Sequence, residues 1–262
     1  MTIYVNNKIK RNPFTLRPWI LVSVFCLLLV FPCSGSARDR IMVAVAANFI
    51  NPFEEIAVLF ETSTHIRSEP TFSSTGKLFA QIIEGAPYDV FLSADEKRPE
   101  ELYQKGLSGK PFVYAKGEVV LWTARKDLCD AGDWKAILGR SDVKKIAIAN
   151  TETAPYGTAS MKALKDVGLW DSLQAKFVFP QDIAQAFQYA STGSVDAGFC
   201  ALSSALSQQG KAGCYLVVKE APGIVQAACV LNRTGQKAAA EKFAAFLLSA
   251  EADKVKKKYG YK

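Results

Sequence analysis

IMVAVAANF, residues 41–49, is a strand-like apolar run that breaks at Asn48. An amphipathic stretch at helical spacing follows from residue 52 to residue 60. Residues 66–72 repeat the pattern, and there the break is Ser74-Thr75-Gly76, before apolar residues at helical spacing. Main-chain N–H groups and short polar side chains at a helix start are suited to binding an anion. The two strand–helix junctions therefore predict an anion cradle.

The same alternation of strand-like and helix-like segments continues along the rest of the chain. It predicts an α/β protein with mainly parallel sheets, in which a ligand binds beyond the carboxyl ends of the strands. The predicted strands are Ile41–Ala47, Ile66–Phe72, Asp89–Ser93, Val113–Thr123, Lys145–Ala149, Val195–Cys200, Tyr215–Val218 and Gln226–Leu231. The predicted helices are Pro52–Glu61, Gly76–Glu84, Pro99–Lys105, Trp134–Leu138, Thr158–Val167, Ile183–Ala190, Leu202–Gln208, Lys237–Leu248 and Ala250–Lys258.

Two loops in the second half of the chain have the same character as the two junctions in the first half. Tyr156 follows a predicted strand, and Ile183 lies at a predicted helix start. Tyr156 offers either its main-chain N–H or its hydroxyl, whereas Ile183 offers only its main chain. A helix cap is the structural alternative for Asn48 and for the Ser74 turn. A ligand held between two lobes would be contacted by one pair of loops from each lobe.

The first 37 residues have the pattern of a secretory signal peptide. Four basic residues precede the apolar run Trp19–Phe31, and small residues precede a predicted cut after Ala37. The run has 13 residues, fewer than the about 20 of a membrane-spanning helix, and an uncleaved anchor is the alternative. Loss of the leader removes four of the 32 basic residues and leaves 28 against 25 acidic ones, a net charge of +3. No basic stripe with interleaved aromatics is present, which argues against nucleic-acid binding.

Four cysteines follow the predicted leader: Cys129, Cys200, Cys214 and Cys229. None belongs to a C-x-x-C pair, which argues against zinc and thioredoxin-like sites. Export permits a disulfide, but the spacing leaves the pairing open. Cys200 and Cys229 lie in apolar strand-like runs, where a cysteine can serve as a small buried residue.

Residues suited to catalysis are sparse, so a binding protein is favoured over an exported enzyme. His65 is the only histidine, it lies in a polar turn, and the chain has no G-x-S-x-G motif. A general base would have to be His65 or Lys77, and Lys77 is interpreted as a solvated or ion-paired side chain. The Gly76-Lys77 pair lacks the other positions of a P-loop. Asp89 and Asp95 are interpreted as structural, and a signalling protein on the same fold is a third alternative.

Several segments together resemble the periplasmic molybdate-binding proteins of ABC importers, and they span nearly all of residues 38–262 in order. They are Ala46–Phe49, Ser74–Lys77, Gly85–Asp95, Ile148–Asn150, Thr153–Gly157, Gly168–Trp170 and Lys258–Tyr261. The resemblance implies a type II periplasmic-binding-protein fold, with two α/β lobes, a ligand cleft and two crossover strands. The crossovers would fall near Val119–Thr123 and Ala228–Leu231. Lobe 1 would comprise residues 38–118 and 230–262, and lobe 2 residues 119–229.

The resemblance also implies which residues contact an oxyanion. By position, these contacts fall on Ala47, Asn48, Ser74, Thr75, Tyr156 and Ile183. Ser74 and Thr75 both remain candidates for the hydroxyl contact of their turn. One branch of the family uses a tyrosine at a position that falls near Ala201 in this chain. This chain has Asn48 in the first loop and follows the other branch, so Asn48 would supply the donor in place of that tyrosine.

The ligand and partners implied by the resemblance are those of a transport protein. The ligand would be molybdate or tungstate, with the metal bound only as an oxyanion through these same residues and with no cofactor. The protein would be a periplasmic monomer that delivers its ligand to a membrane ABC permease and binds no nucleic acid. A carrier for another small oxyanion is the alternative among binding proteins.

Overall fold

The structure is a computed structural model, and it describes residues 1–4 and 40–262. The predicted signal peptide and its cut after Ala37 lie outside the described residues, apart from the first four. Within the described ranges, no helix is both long enough and apolar enough to cross a membrane.

In the part of the chain that the structure describes, ten strands form two separate five-stranded sheets. In chain order the strands are β1 (Arg40–Ala46), β2 (Arg67–Ser73), β3 (Val90–Leu92), β4 (Phe112–Gly117), β5 (Val119–Thr123), β6 (Ile146–Ala147), β7 (Phe177–Val178), β8 (Ala197–Ala201), β9 (Cys214–Val217) and β10 (Ile224–Val230). The first sheet has the order β2-β1-β3-β10-β4, and the second has the order β7-β6-β8-β5-β9. We call the first sheet with its helices lobe 1 and the second lobe 2.

The two sheets share one pairing pattern. In lobe 1, β1 is parallel to β2 and β3, whereas β10 is antiparallel to both of its neighbours. In lobe 2, β6 is parallel to β7 and β8, and β5 is antiparallel to β8 and β9. The parallel strands end at the cleft side of each sheet, where the following loops begin. This pattern places the predicted anion loops of both lobes at facing edges.

Within residues 40–262, ten helices cover the sheets, together with short 3₁₀ segments at Ala47–Phe49, Lys126–Ala131, Gln174–Lys176 and Gly210–Ala212. The helices are α1 (Ile50–Thr64), α2 (Thr75–Ile83), α3 (Lys97–Gln104), α4 (Trp134–Gly139), α5 (Pro155–Asp166), α6 (Trp170–Leu173), α7 (Ile183–Ser191), α8 (Leu202–Ala205), α9 (Lys237–Leu247) and α10 (Ala250–Lys258). The sequence predicted each of these except the one-turn helix α6, and the element ends differ by a few residues.

The lobe 1 sheet is buried on both faces because successive side chains of a strand point to opposite sides. Val43 and Val45 of β1 join a cluster with Phe53 of α1 and Phe243 of α9, whereas Ala44 joins a cluster with side chains of α2 and α3. Burial of an apolar side chain of this size contributes about 1.5–3 kcal/mol to folding. The apolar run of β1 therefore suits an interior strand of the sheet, between β2 and β3. The end of β1 leads into the loop that carries Asn48 to the cleft.

The chain passes between the lobes twice. The first passage is at Glu118, between β4 in lobe 1 and β5 in lobe 2. The second lies between Val217 and Ile224, because β10 pairs along its length with β3 and β4. This position differs from the predicted crossover near Ala228–Leu231 and from a lobe 2 that extends to residue 229. The apolar run indicates a strand, but it does not indicate which sheet the strand joins; the polar Pro-Gly segment before β10 is where the chain changes lobes.

Lobe 2 contains a disulfide between Cys129 and Cys214. It links the 3₁₀ segment Lys126–Ala131 to β9, and the two cysteines are 85 residues apart in the sequence. Among the described residues, Cys200 and Cys229 are free and buried, as the apolar surroundings of both predicted. Burial raises the pKa of the Cys229 thiol to about 12, so this thiol is uncharged in the folded protein.

Candidate functional site

Four helix starts meet at a cleft between the two lobes. The cleft is a small cavity of about 10 Å³, far below the ~300–1,000 Å³ of pockets for drug-sized ligands. It is lined by Ala46, Ala47, Asn48, Ser74, Thr75, Ala94, Ala154, Pro155, Tyr156, Asp182 and Ile183. All six residues singled out from the sequence are in this set. The dimensions suit a small ion rather than a metabolite.

The main chain at these helix starts supplies hydrogen-bond donors. Asn48 lies in the 3₁₀ segment before α1, and Thr75 and Ile183 are the first residues of α2 and α7. Tyr156 is the second residue of α5, after a proline that suits the first helical position. The first N–H groups of a helix have no acceptor within that helix, and the helix dipole makes this end positive. Two such ends from each lobe therefore face one small space.

Ser74 has a buried hydroxyl without a partner. Its side chain is only 3% exposed, and its Oγ makes no hydrogen bond within the described part of the chain. Ser74 precedes α2 but does not cap it through its side chain. A buried hydroxyl left without a hydrogen bond costs about 1–3 kcal/mol, a cost that a bound acceptor would remove. Ser74 thus has the chemistry of a ligand contact.

Thr75 differs from Ser74 because its hydroxyl already has a partner. Thr75 Oγ1 accepts a hydrogen bond from the main-chain N–H of Ala94 at 3.0 Å. This bond ties the start of α2 to the loop after β3. Of the two adjacent hydroxyls, Ser74 is therefore the one without any hydrogen bond, whereas the Thr75 hydroxyl accepts one and keeps its O–H free to donate.

The side chain of Asn48 is occupied inside the protein. Its Nδ2 donates to Gln226 Oε1 at 2.7 Å and to the Tyr261 hydroxyl at 2.9 Å. The main-chain carbonyl oxygen of Asn48 accepts hydrogen bonds from Ser203 Oγ at 2.7 Å and from the Tyr261 hydroxyl at 2.8 Å. A primary amide has two N–H donors, and both are used here. Asn48 therefore presents its main chain to the cleft, which differs from the expectation that its side chain supplies a donor.

The Tyr156 hydroxyl also points away from the cleft. It accepts a hydrogen bond from Gln226 Nε2 at 3.3 Å, and the ring is fully buried. Burial raises the pKa of this phenol well above its usual value, so the hydroxyl stays protonated. Of the two groups that the sequence left open for Tyr156, the main-chain N–H is the one at the helix start.

Gln226 is a site residue that sequence reasoning missed. It lies on β10, it is 0% exposed, and its Oε1 also accepts a hydrogen bond from the Tyr114 hydroxyl at 3.1 Å. Gln226 thereby connects Asn48 of lobe 1 with Tyr156 of lobe 2. The signal in the sequence was a single glutamine within the apolar run 224–231, where a polar side chain requires buried partners.

No cationic side chain lines the cleft within the described residues. Asp182 is the one charged lining residue, and its Oδ1 caps α7 by accepting from the Gln185 N–H at 3.0 Å. Lys77 instead bonds Gln181 across the mouth of the cleft. The arrangement can therefore hold an anion only by neutral hydrogen-bond donors and helix dipoles.

The residues considered for catalysis lie outside the cleft or serve the fold. His65 is exposed at the end of α1. Asp89 accepts hydrogen bonds from the Met42 N–H and from Thr234, and Asp95 pairs with Arg98 at the start of α3, so both are structural as predicted. Among the described residues, no cluster of three or more histidines, cysteines or carboxylates is placed to hold a metal ion.

The lobes touch directly beside the cleft. The Gly76 N–H donates to the carbonyl oxygen of Thr153 at 2.8 Å, and Arg98 donates to the carbonyl oxygen of Glu152 at 3.2 Å. Both bonds join a lobe 1 helix start to the same lobe 2 loop. The structure is therefore that of a closed cleft.

A fold of two such lobes around a small cleft is that of a solute-binding protein, and comparison with known proteins agrees. The family model for bacterial extracellular solute-binding proteins matches residues 41–262, and the chain belongs to this family. The predicted two-lobed fold and the prediction of a binding protein rather than an enzyme are thereby confirmed.

Individual relatives have more specific names. The chain is 35% identical over 252 residues to the molybdate-binding protein ModA of Rhodobacter capsulatus. This alignment covers 95% of this chain and 97% of that protein. It is 37% identical over 234 residues to ModA of Azotobacter vinelandii, with 87% and 92% covered. The solved structure of the Azotobacter vinelandii periplasmic molybdate-binding protein matches with a TM-score of 0.80 at 35% identity, over 85% of this chain and 98% of that chain. The resemblance inferred from the sequence motifs is confirmed.

Proposed function

We propose that this protein captures molybdate, and tungstate likewise, in the cleft between its lobes and delivers the ion to a membrane ABC permease from the periplasm. The names of the relatives from Rhodobacter capsulatus and Azotobacter vinelandii support the choice of ion. The single observation that carries the proposal is the buried, unpartnered hydroxyl of Ser74 at a helix start that faces three others across a small cleft.

Binding in this cleft rests on neutral donors. A tetrahedral dianion leaves water only when hydrogen bonds replace its hydration. The Ser74 hydroxyl and the main-chain N–H groups at Asn48, Thr75, Tyr156 and Ile183 would replace it, and bonds to a charged acceptor are worth about 1.5–3 kcal/mol each. The four helix dipoles add a favourable field. No proton is required from the ligand, because the lining groups are mainly donors.

Discrimination among oxyanions follows from size. Molybdate, tungstate and sulfate share tetrahedral shape and double charge, so the donors alone treat them alike. The spacing between the lobe 1 and lobe 2 helix starts is fixed in the closed state by the Gly76–Thr153 and Arg98–Glu152 bonds. A smaller anion would leave some of these donors too far away to bond, and each unmade bond weakens binding.

Delivery requires a form that a permease can distinguish. Closure brings the two lobes into direct main-chain contact, and an empty protein would relax towards an open form. One protomer holds the complete set of lining residues, which supports action as a monomer. Neither nucleic acid nor a cofactor is required for this role.

Calorimetry on residues 38–262 with molybdate, tungstate and sulfate in separate titrations tests the proposal. We expect tight binding of the first two ions and sulfate binding that is weaker by about 100-fold, which is about 2.7 kcal/mol. Ser74→Ala should weaken molybdate binding by about 10-fold or more, because one bond to a charged acceptor is lost. Equal affinity for all three ions, or no heat with any of them, would overturn the proposal.

A further inference from the structure

Tyr156 contacts both lobes through different groups. Its main-chain N–H lies at the start of α5 in lobe 2, where it faces the cleft. Its phenol extends to the strands of lobe 1 next to the two passages of the chain, where Gly117 is paired with Ile224. The residue that offers a donor to the anion is thus also fastened to the opposite lobe.

Gly117 makes room for the phenol. A Cβ atom at Gly117 would lie 2.0 Å from the Tyr156 hydroxyl oxygen and 2.8 Å from Gln226 Nε2. Contacts below 3.0 Å essentially never occur for a real Cβ. The backbone of Gly117 is not in the left-handed region. The absence of a side chain at Gly117 is therefore explained by the Tyr156 phenol and not by a special backbone conformation.

Gln226 completes the cavity that receives the phenol and joins it to the first anion loop. Its Nε2 donates to Tyr156, while its Oε1 accepts from Asn48. A buried amide that has partners on both of its ends is held in one orientation. A movement of the Tyr156 phenol would therefore also displace Asn48, because the Gln226 side chain is hydrogen-bonded to both residues.

We propose that Gly117 and Gln226 form a socket for the Tyr156 phenol and that this socket is a positioning device for the anion site. Seating of the phenol sets the distance between the Tyr156 N–H in lobe 2 and the Asn48 main chain in lobe 1. The inference rests on the proposed function, since the anion in question is the ligand proposed above. Gly117 and Gln226 are positioning residues: they act on the anion through Tyr156 and Asn48.

The first test uses three variants of residues 38–262: Gly117→Ala, Tyr156→Phe and the double variant, with molybdate as the probe in calorimetry. Gly117→Ala should weaken binding by about 10-fold or more, because the new methyl group expels the hydroxyl from the socket. Tyr156→Phe should weaken binding by a smaller factor, because the ring stays and only the hydroxyl is lost. The double variant should bind better than Gly117→Ala alone, because removal of the hydroxyl removes the closest clash.

A general loss of stability would not produce this rescue, because two destabilising changes that act independently add their effects. Tyr103→Phe, at an exposed tyrosine of α3, is the matched control and should bind as the wild type does. Thermal unfolding without ligand identifies any variant that fails to fold; Tyr156→Phe remains informative if Gly117→Ala fails, because it must still weaken binding.

The outcomes separate the two claims. Tight molybdate binding by the wild type together with unchanged affinity in Gly117→Ala or Tyr156→Phe would overturn the socket and leave the proposed function intact. A double variant that binds more weakly than either single variant would also overturn it. Absence of binding by the wild type would overturn both claims.

Discussion

The main-chain N–H of Gly76 in lobe 1 donates a hydrogen bond to the carbonyl oxygen of Thr153 in lobe 2 at 2.8 Å. Gly76 follows directly after Ser74 and Thr75, so the bond lies at the edge of the cleft. A Cβ atom at Gly76 would lie 2.9 Å from the Thr153 Cα and 3.0 Å from its Cβ. Closure of the cleft therefore depends on the absence of a side chain at Gly76.

Gly76→Ala should hinder closure without harming the separate lobes. Its backbone is not in the left-handed region, and alanine favours a helix over glycine by up to about 1 kcal/mol. We expect molybdate affinity to fall by about 10-fold, or about 1.4 kcal/mol, while thermal unfolding without ligand is unchanged or occurs at a slightly higher temperature. Gly139→Ala, which has open space around its Cβ, is the control. Full affinity in Gly76→Ala would show that the lobes do not approach this closely when the ion is bound.

Ser74→Ala and Asn48→Ala should have opposite effects on the stability of the empty protein. Ser74→Ala removes a buried hydroxyl that has no partner, so the free energy of unfolding should stay the same or rise. Asn48→Ala removes the two hydrogen bonds that the Asn48 side chain donates to Gln226 and Tyr261 and should lower the free energy of unfolding by about 1–3 kcal/mol. Urea unfolding without ligand measures both changes. Equal loss of stability in the two variants would contradict the assignment of Ser74 to the ligand and of Asn48 to the internal network.

The disulfide should stabilise lobe 2 without contributing to the site. Cys129 and Cys214 lie 85 residues apart in the chain, and a cross-link of this kind is worth about 2–5 kcal/mol. The double variant Cys129→Ala/Cys214→Ala should lose that much free energy of unfolding in urea. Its molybdate affinity should stay within about twofold of the wild type, because neither cysteine lines the cleft. A large loss of affinity in a folded variant would mean that the disulfide shapes the cleft.

Alkaline pH should destabilise the protein through the buried tyrosines. Burial raises the pKa of Tyr114, Tyr156 and Tyr261, so the folded state holds these protons more tightly than the unfolded chain. The corresponding stabilisation is complete below the unfolded pKa of about 10 and is lost as the pH rises through the folded values. Tyrosinate absorbance should therefore show three hydroxyls that ionise only as the protein unfolds. Ionisation of all tyrosines with the ordinary pKa in still-folded protein would contradict this prediction.

The sequence predicted the strand-to-helix junctions of the cleft well because their character is local. A strand-like run followed by Asn48 or Ser74 and then by a helical pattern needs no knowledge of distant contacts. The difference between Ser74 and Thr75 could not be predicted, because it depends on the hydrogen bond that Thr75 Oγ1 accepts from the Ala94 N–H. The orientations of the Asn48 and Tyr156 side chains could not be predicted for the same reason. Both side chains are hydrogen-bonded to Gln226, which is far away in the sequence.

The position of the second crossover shows the same limit at the level of the fold. The run 224–231 reads as a strand in isolation, but its sheet is chosen by pairing with β3 and β4. Gly117 likewise carries no local signal of its role, since it has an ordinary backbone and its partner is Tyr156 in the other lobe.

The order of strands in lobe 1 has a consequence for how the chain folds. β4 contacts its sheet only through β10, and the whole of lobe 2 lies between these two strands in the chain. The sheet of lobe 2, by contrast, is built from one continuous stretch of the chain, from β5 to β9. Because distant pairings form slowly, we expect the sheet of lobe 2 to form before the β4–β10 edge of lobe 1. We therefore expect the cleft, which requires both lobes, to assemble late in folding.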